Sequence, residues 1–178
     1  MKIEVIYGNI VAQPDADAVV NSANANLRLG SGVAGAIHTG AGPQLEAFCK
    51  PFAPLAPGSA LITPGFKLQN PWVIYVVAAS FVNGPDAEQI LLQALKSMMN
   101  VANTNNIRSL AMPAIGTGVF RCPPELSALL TAQVLAEFTS YGTCVEWVRI
   151  CVANDAIREI FKSTIERKKS LQLFSRER

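Results

Sequence analysis

Residues Asn21–Gly42 read NSANANLRLGSGVAGAIHTGAG, and this stretch decides how the rest of the chain is interpreted. It follows a short β-type run, crosses a polar loop and enters a helix of small residues through Gly30, Ser31 and Gly32. A glycine-rich turn that leads into a helix offers free backbone N–H groups and the positive end of the helix dipole. The stretch therefore predicts a binding site for a phosphate or a diphosphate.

The glycines of this stretch also satisfy the dinucleotide-binding pattern G-x-G-x-x-G, at Gly30, Gly32 and Gly35. That pattern must directly follow a strand and be answered by an acidic residue at the end of the next strand. Here nine residues separate Val20 from Gly30, and the next predicted strand, Ser59–Thr63, ends without a carboxylate. The sequence therefore argues against a Rossmann fold.

Strands and helices alternate along the chain, which favours an α/β fold with helices on both faces of the sheet. The predicted strands are apolar runs at Met1–Tyr7, Asp17–Val20, Ser59–Thr63, Trp72–Ala78, Ser109–Met112 and Val145–Val152. The predicted helices are Val33–Lys50 with an interruption near Gly40–Pro43, a helix from Asp86 to about Asn103, one from Pro123 to Gly142, and one from Asn154 or Asp155 through Ile165.

Three of these elements carry more detailed predictions. The continuous apolar runs Ser59–Thr63 and Trp72–Ala78 indicate strands that are buried on both faces. Asp86 and Gln89, three residues apart, are typical of a capping box at the start of a helix.

A second glycine-rich loop, AIGTGVF at Ala114–Phe120, follows the predicted strand Ser109–Met112. In open α/β sheets, ligands bind at the carboxyl ends of the strands. We therefore expect the two glycine loops to flank one cleft. Backbone N–H groups would hold a diphosphate there, which explains why neither loop needs a lysine.

Length and composition exclude several other classes of protein. The chain has 178 residues, which predicts one domain, and its longest apolar run, Trp72–Ala79, is too short to span a bilayer. No export signal is recognisable at the N-terminus, and the four cysteines show no C-x-x-C pair. His38 is the single histidine. We expect no zinc site, no disulfides, no membrane contact and a cytoplasmic location.

Charge is unevenly distributed along the chain. The net charge is +2, but residues 158–178 hold seven basic and three acidic side chains, whereas residues 1–157 hold eight and ten. The globular part is therefore not a general nucleic-acid surface. The basic end is either a solvated helix end whose Lys168 and Lys169 complement the dipole, or a nucleic-acid contact.

The order of these motifs resembles the macrodomain family, whose pattern is a strand, N-A-A-N, a glycine triad and then V-x-G-A-I-H. Here the pattern reads VVNSAN, then Gly30 to Gly32, then Val33 to His38. The resemblance covers about Ile3 to Phe161. It implies a three-layer α/β/α macrodomain fold with a mixed central sheet of about six strands. We expect residues 1–169 to form this domain and residues 170–178 to be a basic tail, of which the resemblance says nothing.

The resemblance implies that ADP-ribose binds between the two glycine loops, either free or as mono-ADP-ribosyl on a protein, without cofactor or metal. The implied ligand residues lie in these loops and at two further strand ends: Asn9, Ile10, Asn21, Asn24, Gly30, Ser31, Gly32, Val33, Ala34, Ile115, Gly116, Thr117, Gly118, Val119, Phe120, Ala153 and Asn154.

Four of the residues near the glycine loops have a specific expected role. By resemblance, Asn24 contacts the hydroxyls of the distal ribose and is the candidate catalytic residue; the alternative is an Asx turn that organises the loop. Phe120 packs against the distal ribose or is an ordinary core aromatic. Asn21 is expected to pin the loop to the backbone. His38 is expected to be structural, since no carboxylate lies near it in sequence.

The chain departs from the family pattern at several positions. Asn9 replaces an aspartate that accepts from the adenine amino group, and Ala153 replaces an adenine-stacking aromatic of many relatives. Asn154 is expected at the adenine or the proximal ribose. Ala34 replaces the aspartate of hydrolytic members. Ser31 replaces the middle glycine, and its hydroxyl either bonds the ligand or narrows the site.

Neither glycine loop carries an acidic side chain of its own, so three functions stay open. The chain binds ADP-ribose with little turnover, or it is a weak ADP-ribosyl hydrolase or O-acetyl-ADP-ribose deacetylase that uses Asn24, an ordered water and the ligand's phosphate. The third alternative is a nucleic-acid or poly(ADP-ribose) binding module assisted by the basic tail.

Overall fold

The computed structural model describes the backbone of residues 1–176 and the side chains of residues 1–171. In this part of the chain the strands are β1 (Lys2–Tyr7), β2 (Ala18–Ala23), β3 (Ala60–Pro64), β4 (Trp72–Val77), β5 (Ser109–Pro113) and β6 (Trp147–Val152). The helices are α1 (Gly32–Ala41), α2 (Pro43–Cys49), α3 (Ala87–Thr104), α4 (Pro124–Tyr141) and α5 (Asp155–Arg176), with a 3-10 turn at Lys50–Phe52.

The strands form one mixed sheet in the order β1-β6-β5-β2-β4-β3. All neighbouring strands are parallel except β3 and β4, which are antiparallel. Because β2 and β5 are parallel neighbours, the glycine-rich loops that follow them leave the same edge of the sheet side by side. This arrangement confirms the predicted fold class.

Helices cover the two faces of the sheet and form two separate hydrophobic cores. On one face, α3, α4 and α5 bury Met98, Leu135 and Phe161 against the sheet. On the other face, α1 and α2 bury Ile37 and Leu45. The molecule therefore has the three layers that the sequence predicts.

The strands β2 and β5 pair over a short length only. Their register joins Ala18 to Leu110 and Val19 to Ala111, whereas β2 pairs with β4 along its whole length. The proline at position 113 ends β5 and has no N–H to continue the ladder. The two strands therefore separate toward their carboxyl ends, and the gap lies below the two glycine-rich loops.

Two local predictions were wrong. The strand β3 is an edge strand, and of its residues only Thr63 is fully buried, so burial on both faces holds for β4 alone. Asp86 precedes α3 with φ −111° and ψ 24°, and its side chain makes no cap hydrogen bond. This backbone conformation lies outside the extended region from which a capping side chain reaches the helix. By contrast, Asn154 does cap α5, since its Oδ1 accepts from the Ile157 N–H at 2.9 Å.

The basic end of the chain continues α5. The helix runs to Arg176 without a break, so the predicted boundary between residues 169 and 170 falls inside it. The side chains of residues 172–178 and the backbone of residues 177 and 178 lie outside the described part of the chain. None of the described helices is both long and apolar enough to cross a bilayer.

A polar contact fixes the start of β2 against the start of β5. The carboxylate of Asp17 accepts from the N–H groups of Arg108 and Ser109, at 2.8 and 3.2 Å. In return, the Ser109 hydroxyl accepts from the Asp17 N–H at 2.8 Å. These three hydrogen bonds hold the two strands together at the end opposite to the glycine loops.

Replacing Asp17 by alanine should therefore destabilise the fold. We expect Asp17→Ala to lower the free energy of unfolding by about 1–3 kcal/mol, because two backbone donors lose a charged acceptor. Asp17→Asn is the matched control, since it keeps one side-chain acceptor and should lose less. Urea denaturation of the three proteins measures both effects. Equal stability of Asp17→Ala and wild type would contradict this role.

A second polar contact joins α1 to β4 of the sheet. The hydroxyl of Tyr75 in β4 lies 2.9 Å from His38 Nε2, and the two rings meet edge to face with centroids 5.8 Å apart. Only 5% of His38 is exposed. Burial lowers the pKa of His38, and the nearby Glu46 partly opposes this effect. His38 is therefore neutral at neutral pH.

This histidine makes the stability of the fold depend on pH. The pKa of folded His38 lies below the ordinary value of 6.5, so in moderate acid the unfolded chain binds a proton that the folded chain does not. The contribution of His38 is complete above about pH 6.5 and is lost as the pH falls toward the folded pKa. Urea denaturation between pH 8 and 5 should give a steeper loss for wild type than for His38→Gln. Parallel pH profiles would contradict the prediction.

Candidate functional site

A cavity of about 440 Å³ lies between the two glycine-rich loops, and we call it the loop cavity. Its walls come from the end of β2, the β2–α1 loop (residues 24–31), the β5–α4 loop (residues 114–123) and the region after β6. The lining residues are 22–24, 30–34, 113–114, 116–120, 151–153 and Ile157. The cavity therefore occupies the gap where β2 and β5 separate.

One wall of the loop cavity is the amino end of α1. Ser31 precedes the helix in an extended conformation, and its side chain does not cap it. The first N–H that bonds back to this turn is that of Gly35, which donates to the Ser31 carbonyl at 3.3 Å. The N–H groups of residues 32–34 therefore have no helical acceptor, and the positive end of the helix dipole lies at the cavity.

The opposite wall is the β5–α4 loop. Gly116 has φ +82°, and a side chain there would press on Cys122, so this turn needs glycine. The Thr117 hydroxyl and N–H both donate to the Ala114 carbonyl, and the Arg121 N–H donates to the Gly118 carbonyl. Between these turns, the N–H groups of residues 118–120 donate to no carbonyl in the described part of the chain. They remain available to a ligand.

The side chains that line the loop cavity include almost no titratable groups. Its lining residues include no Asp, Glu, Lys, Arg or His. The one titratable group is the Cys151 thiol, and burial raises its pKa to about 11, so it is a neutral thiol at neutral pH. Among the described residues, no group of His, Cys, Asp or Glu side chains is placed to hold a metal ion.

Asn24 lines the loop cavity, but both ends of its amide are engaged within the β2–α1 loop. Its Nδ2 donates to the Arg28 carbonyl at 3.0 Å, and its Oδ1 accepts from the Arg28 N–H at 3.3 Å. Asn24 therefore organises the loop as the Asx-type alternative expects, and its amide keeps a second N–H and a second lone pair for a ligand. Phe120 lines the cavity and also packs against the α3–α4–α5 core.

Twelve of the seventeen expected ligand residues line the loop cavity, and five do not. Asn21 lies inside β2 and is fully buried, and its amide makes no hydrogen bond with any described residue, so the expectation that it pins the loop was wrong. Its amide faces the buried phenol of Tyr75 instead. Ile115 is also fully buried, and its carbonyl accepts from the Ser127 hydroxyl.

The remaining three lie beyond the rim, beside the carboxyl end of β6. The Oδ1 of Asn9, the atom expected to receive the adenine amino group, accepts from the Val11 N–H at 3.1 Å. Ile10 is 5% exposed. The Oδ1 of Asn154 caps α5. Both asparagines thus make a local hydrogen bond, and each carboxamide oxygen keeps a second lone pair.

The structure also adds residues that sequence reasoning missed. Ile157 of α5 lines the cavity next to Ala153, where the family's aromatic was expected. Glu46 of α2 accepts from the Leu29 N–H at 2.8 Å and lies 3.9 Å from His38 Nδ1. His38 has no carboxylate neighbour in sequence, but the fold places Glu46 beside it. The sequence signal for this contact is the eight-residue spacing of His38 and Glu46, in two helices that are separated at Gly42.

Comparisons with known proteins agree with this geometry. The family model described as "Macro domain" matches residues 20–131. A macro domain-containing protein of Lactiplantibacillus plantarum is 36% identical over 93% of this chain and 96% of its own length. A protein of Salmonella gallinarum named O-acetyl-ADP-ribose deacetylase is 36% identical over 88% of this chain and 90% of that protein.

Solved structures give the same result. The Oceanobacillus iheyensis macrodomain with ADP superposes with a TM-score of 0.87 at 26% identity, covering 93% of this chain and 90% of that one. A mutant of the same macrodomain with ADPR gives a TM-score of 0.87 at 26% identity, covering 93% and 92%. With the fold, the paired loops and these relatives in agreement, the chain belongs to the macrodomain family.

Proposed function

We propose that the protein binds ADP-ribose in the loop cavity, free or as a mono-ADP-ribosyl group on a protein. The observation that carries this proposal is the composition of the cavity. Main-chain N–H donors approach it from both loops, and no charged side chain lines it. Such donors, together with a helix dipole, stabilise a diphosphate without a metal or a lysine. The related O. iheyensis macrodomain, solved with ADP, supports the assignment.

The chemistry of the walls suggests an orientation for the ligand. We place the diphosphate between the N–H groups of residues 32–34 and 118–120. The distal ribose then lies toward Asn24, Ser31 and Phe120. The adenine lies over Ala153 and Ile157, which offer an aliphatic surface in place of an aromatic one. Asn9 and Asn154 lie beside this end, and each can keep its local hydrogen bond there because a carboxamide oxygen has two lone pairs.

A second candidate is hydrolysis of ADP-ribosyl esters or glycosides, because relatives such as the S. gallinarum protein are named O-acetyl-ADP-ribose deacetylase. General acid–base catalysis needs a titratable group within hydrogen-bond reach of the reacting atom. The lining offers Cys151 alone, and its pKa of about 11 leaves it protonated. We therefore rank binding first.

The four free cysteines support a reducing compartment such as the cytoplasm.

Filling the loop cavity should remove ADP-ribose binding and leave the fold intact. Gly118 lines the cavity, and a Cβ added there meets no protein atom within 4 Å. We expect wild type to bind ADP-ribose more tightly than AMP or ATP, and Gly118→Leu to lose at least about tenfold in affinity because leucine occupies the ligand's space. Titration calorimetry measures both.

Gln133→Leu, on the exposed face of α4, is the matched control and should bind like wild type. Equal and negligible heats for ADP-ribose, AMP and ATP with wild type would refute the proposed function. Unchanged affinity in Gly118→Leu would place the ligand outside the loop cavity.

Restoring a carboxylate should convert the binder into a hydrolase. Ala34 lines the cavity in the first turn of α1, where a negative charge is compatible with the helix dipole. We expect Ala34→Asp to raise the release of ADP-ribose from a mono-ADP-ribosylated protein by about 10²-fold, the usual gain from one positioned acid or base. Ala34→Asn, of the same shape without charge, should stay at the wild-type rate.

Wild type itself should remain close to the uncatalysed blank in this assay. Rapid release by wild type, abolished in Asn24→Ala and not raised in Ala34→Asp, would instead identify the protein as an enzyme that works without a carboxylate. O-acetyl-ADP-ribose is assayed in parallel, because an ester and a glycosidic linkage place different demands on the catalytic group.

A further inference from the structure

A second cavity, of about 840 Å³, lies on the other side of the β2–α1 loop. Its lining residues are 26–29, 38–39, 42–43, 46–47, 50 and 53–54, from the middle of that loop, α1, α2 and the connector after α2. No residue lines both cavities, since Asn24 and Gly30 line the loop cavity and residues 26–29 line this one. The β2–α1 loop is thus a wall shared by two cavities.

A buried hydrogen-bond donor lies in the lining of the second cavity. His38 is neutral, and the Tyr75 phenol occupies its Nε2. We assign the ring proton to Nδ1, because the carboxylate of Glu46 lies 3.9 Å from that atom and would repel a second lone pair. At 3.9 Å the two groups are not hydrogen-bonded. Nδ1–H therefore has no acceptor among the described residues, although His38 is only 5% exposed.

Glu46 supplies an acceptor on the same wall. One of its carboxylate oxygens, Oε2, accepts from the Leu29 N–H at 2.8 Å, which fixes the carboxylate against the loop. A carboxylate has room for several hydrogen bonds, so Glu46 can accept another from a ligand. His38 and Glu46 together thus present one donor and one acceptor, close to each other and held in place by the fold.

Two cations complete the lining. Arg28 and Lys50 are exposed, and within the described part of the chain neither side chain forms an ion pair. They face a single carboxylate, Glu46, so the lining carries a net positive charge. The backbone of Arg28 is fixed by Asn24, which limits how far the side chain can move away.

We propose that the second cavity binds a phosphorylated sugar, with a sugar hydroxyl between His38 and Glu46 and the phosphate on Arg28 and Lys50. A hydroxyl accepts from Nδ1–H and donates to the carboxylate at the same time. An anion at this point would be repelled by Glu46, and an apolar group would leave the buried N–H unpaired. The cavity volume of about 840 Å³ lies within the usual range for small-molecule sites. This site is independent of what the loop cavity binds.

Titration calorimetry of ribose 5-phosphate against the Gly118→Leu protein tests the proposal, because leucine fills the loop cavity and leaves the second cavity unchanged. We expect one site per chain. Ribose and inorganic phosphate should each bind at least about tenfold more weakly, because each makes half of the contacts. No binding of ribose 5-phosphate, or equally tight binding of inorganic phosphate, would overturn the proposal.

Substitutions of exposed basic side chains test the phosphate contacts, because they leave the core of the fold unchanged. Adding Lys50→Gln or Arg28→Gln to the Gly118→Leu protein should weaken ribose 5-phosphate binding by about fivefold to tenfold. Lys162→Gln removes an exposed cation from α5 and should have no effect. Equal effects of Lys162→Gln and Lys50→Gln would show general attraction of anions and would overturn the site.

Binding of adenosine 5′-monophosphate tests whether the ribose phosphate that the site accepts belongs to a nucleotide or to a free sugar phosphate. If it binds to Gly118→Leu as tightly as ribose 5-phosphate, the site accepts the ribose phosphate of a nucleotide. If ribose 5-phosphate binds and the nucleotide does not, the site takes a free sugar phosphate. Either result supports the proposal.

Discussion

The parallel pairing of β2 with β5, over a length too short to hold their carboxyl ends together, is the constraint on which the site depends. Pairing brings the two glycine-rich loops to one edge of the sheet, and the separation after Val19 and Ala111 opens the space between them. Asp17 and Ser109 hold the opposite ends of the strands close. A longer ladder would close the cavity, and without the ladder the loops would not meet.

The loop cavity presents peptide groups where many anion sites present charges. N–H groups of a helix start and a tight turn are fixed by the backbone, so they lose little conformational entropy when a ligand binds. They also need small side chains, because a bulky residue at positions 30, 32 or 118 would stand between ligand and amide. Because main-chain donors and small side chains form its walls, the cavity has no side chain that can transfer a proton at neutral pH.

The β2–α1 loop connects the loop cavity to the helical layer behind it. Asn24 closes the loop on itself through the backbone of Arg28, and Glu46 fixes Leu29 from α2. His38 then links this corner to Tyr75 in the sheet. Glu46, His38 and Tyr75, which do not line the loop cavity, therefore help to hold the wall to which Asn24 and Gly30 belong. The loop is thus a wall common to both cavities.

The sequence by itself determined the order of the strands and helices, the two glycine-rich loops and the family. These features depend on local chemistry: hydrophobic period, turn residues and unpaired amides at a helix start. Tertiary structure decided which residues face the ligand. In the folded chain β3 is an edge strand, and Ile157 lines the loop cavity. Glu46 lies beside His38 and Leu29. The side chains of Asn9 and Asn154 form local hydrogen bonds. Strand order, the packing of distant helices and competition among hydrogen-bond partners decide such contacts, and none of these is encoded in a short stretch of residues.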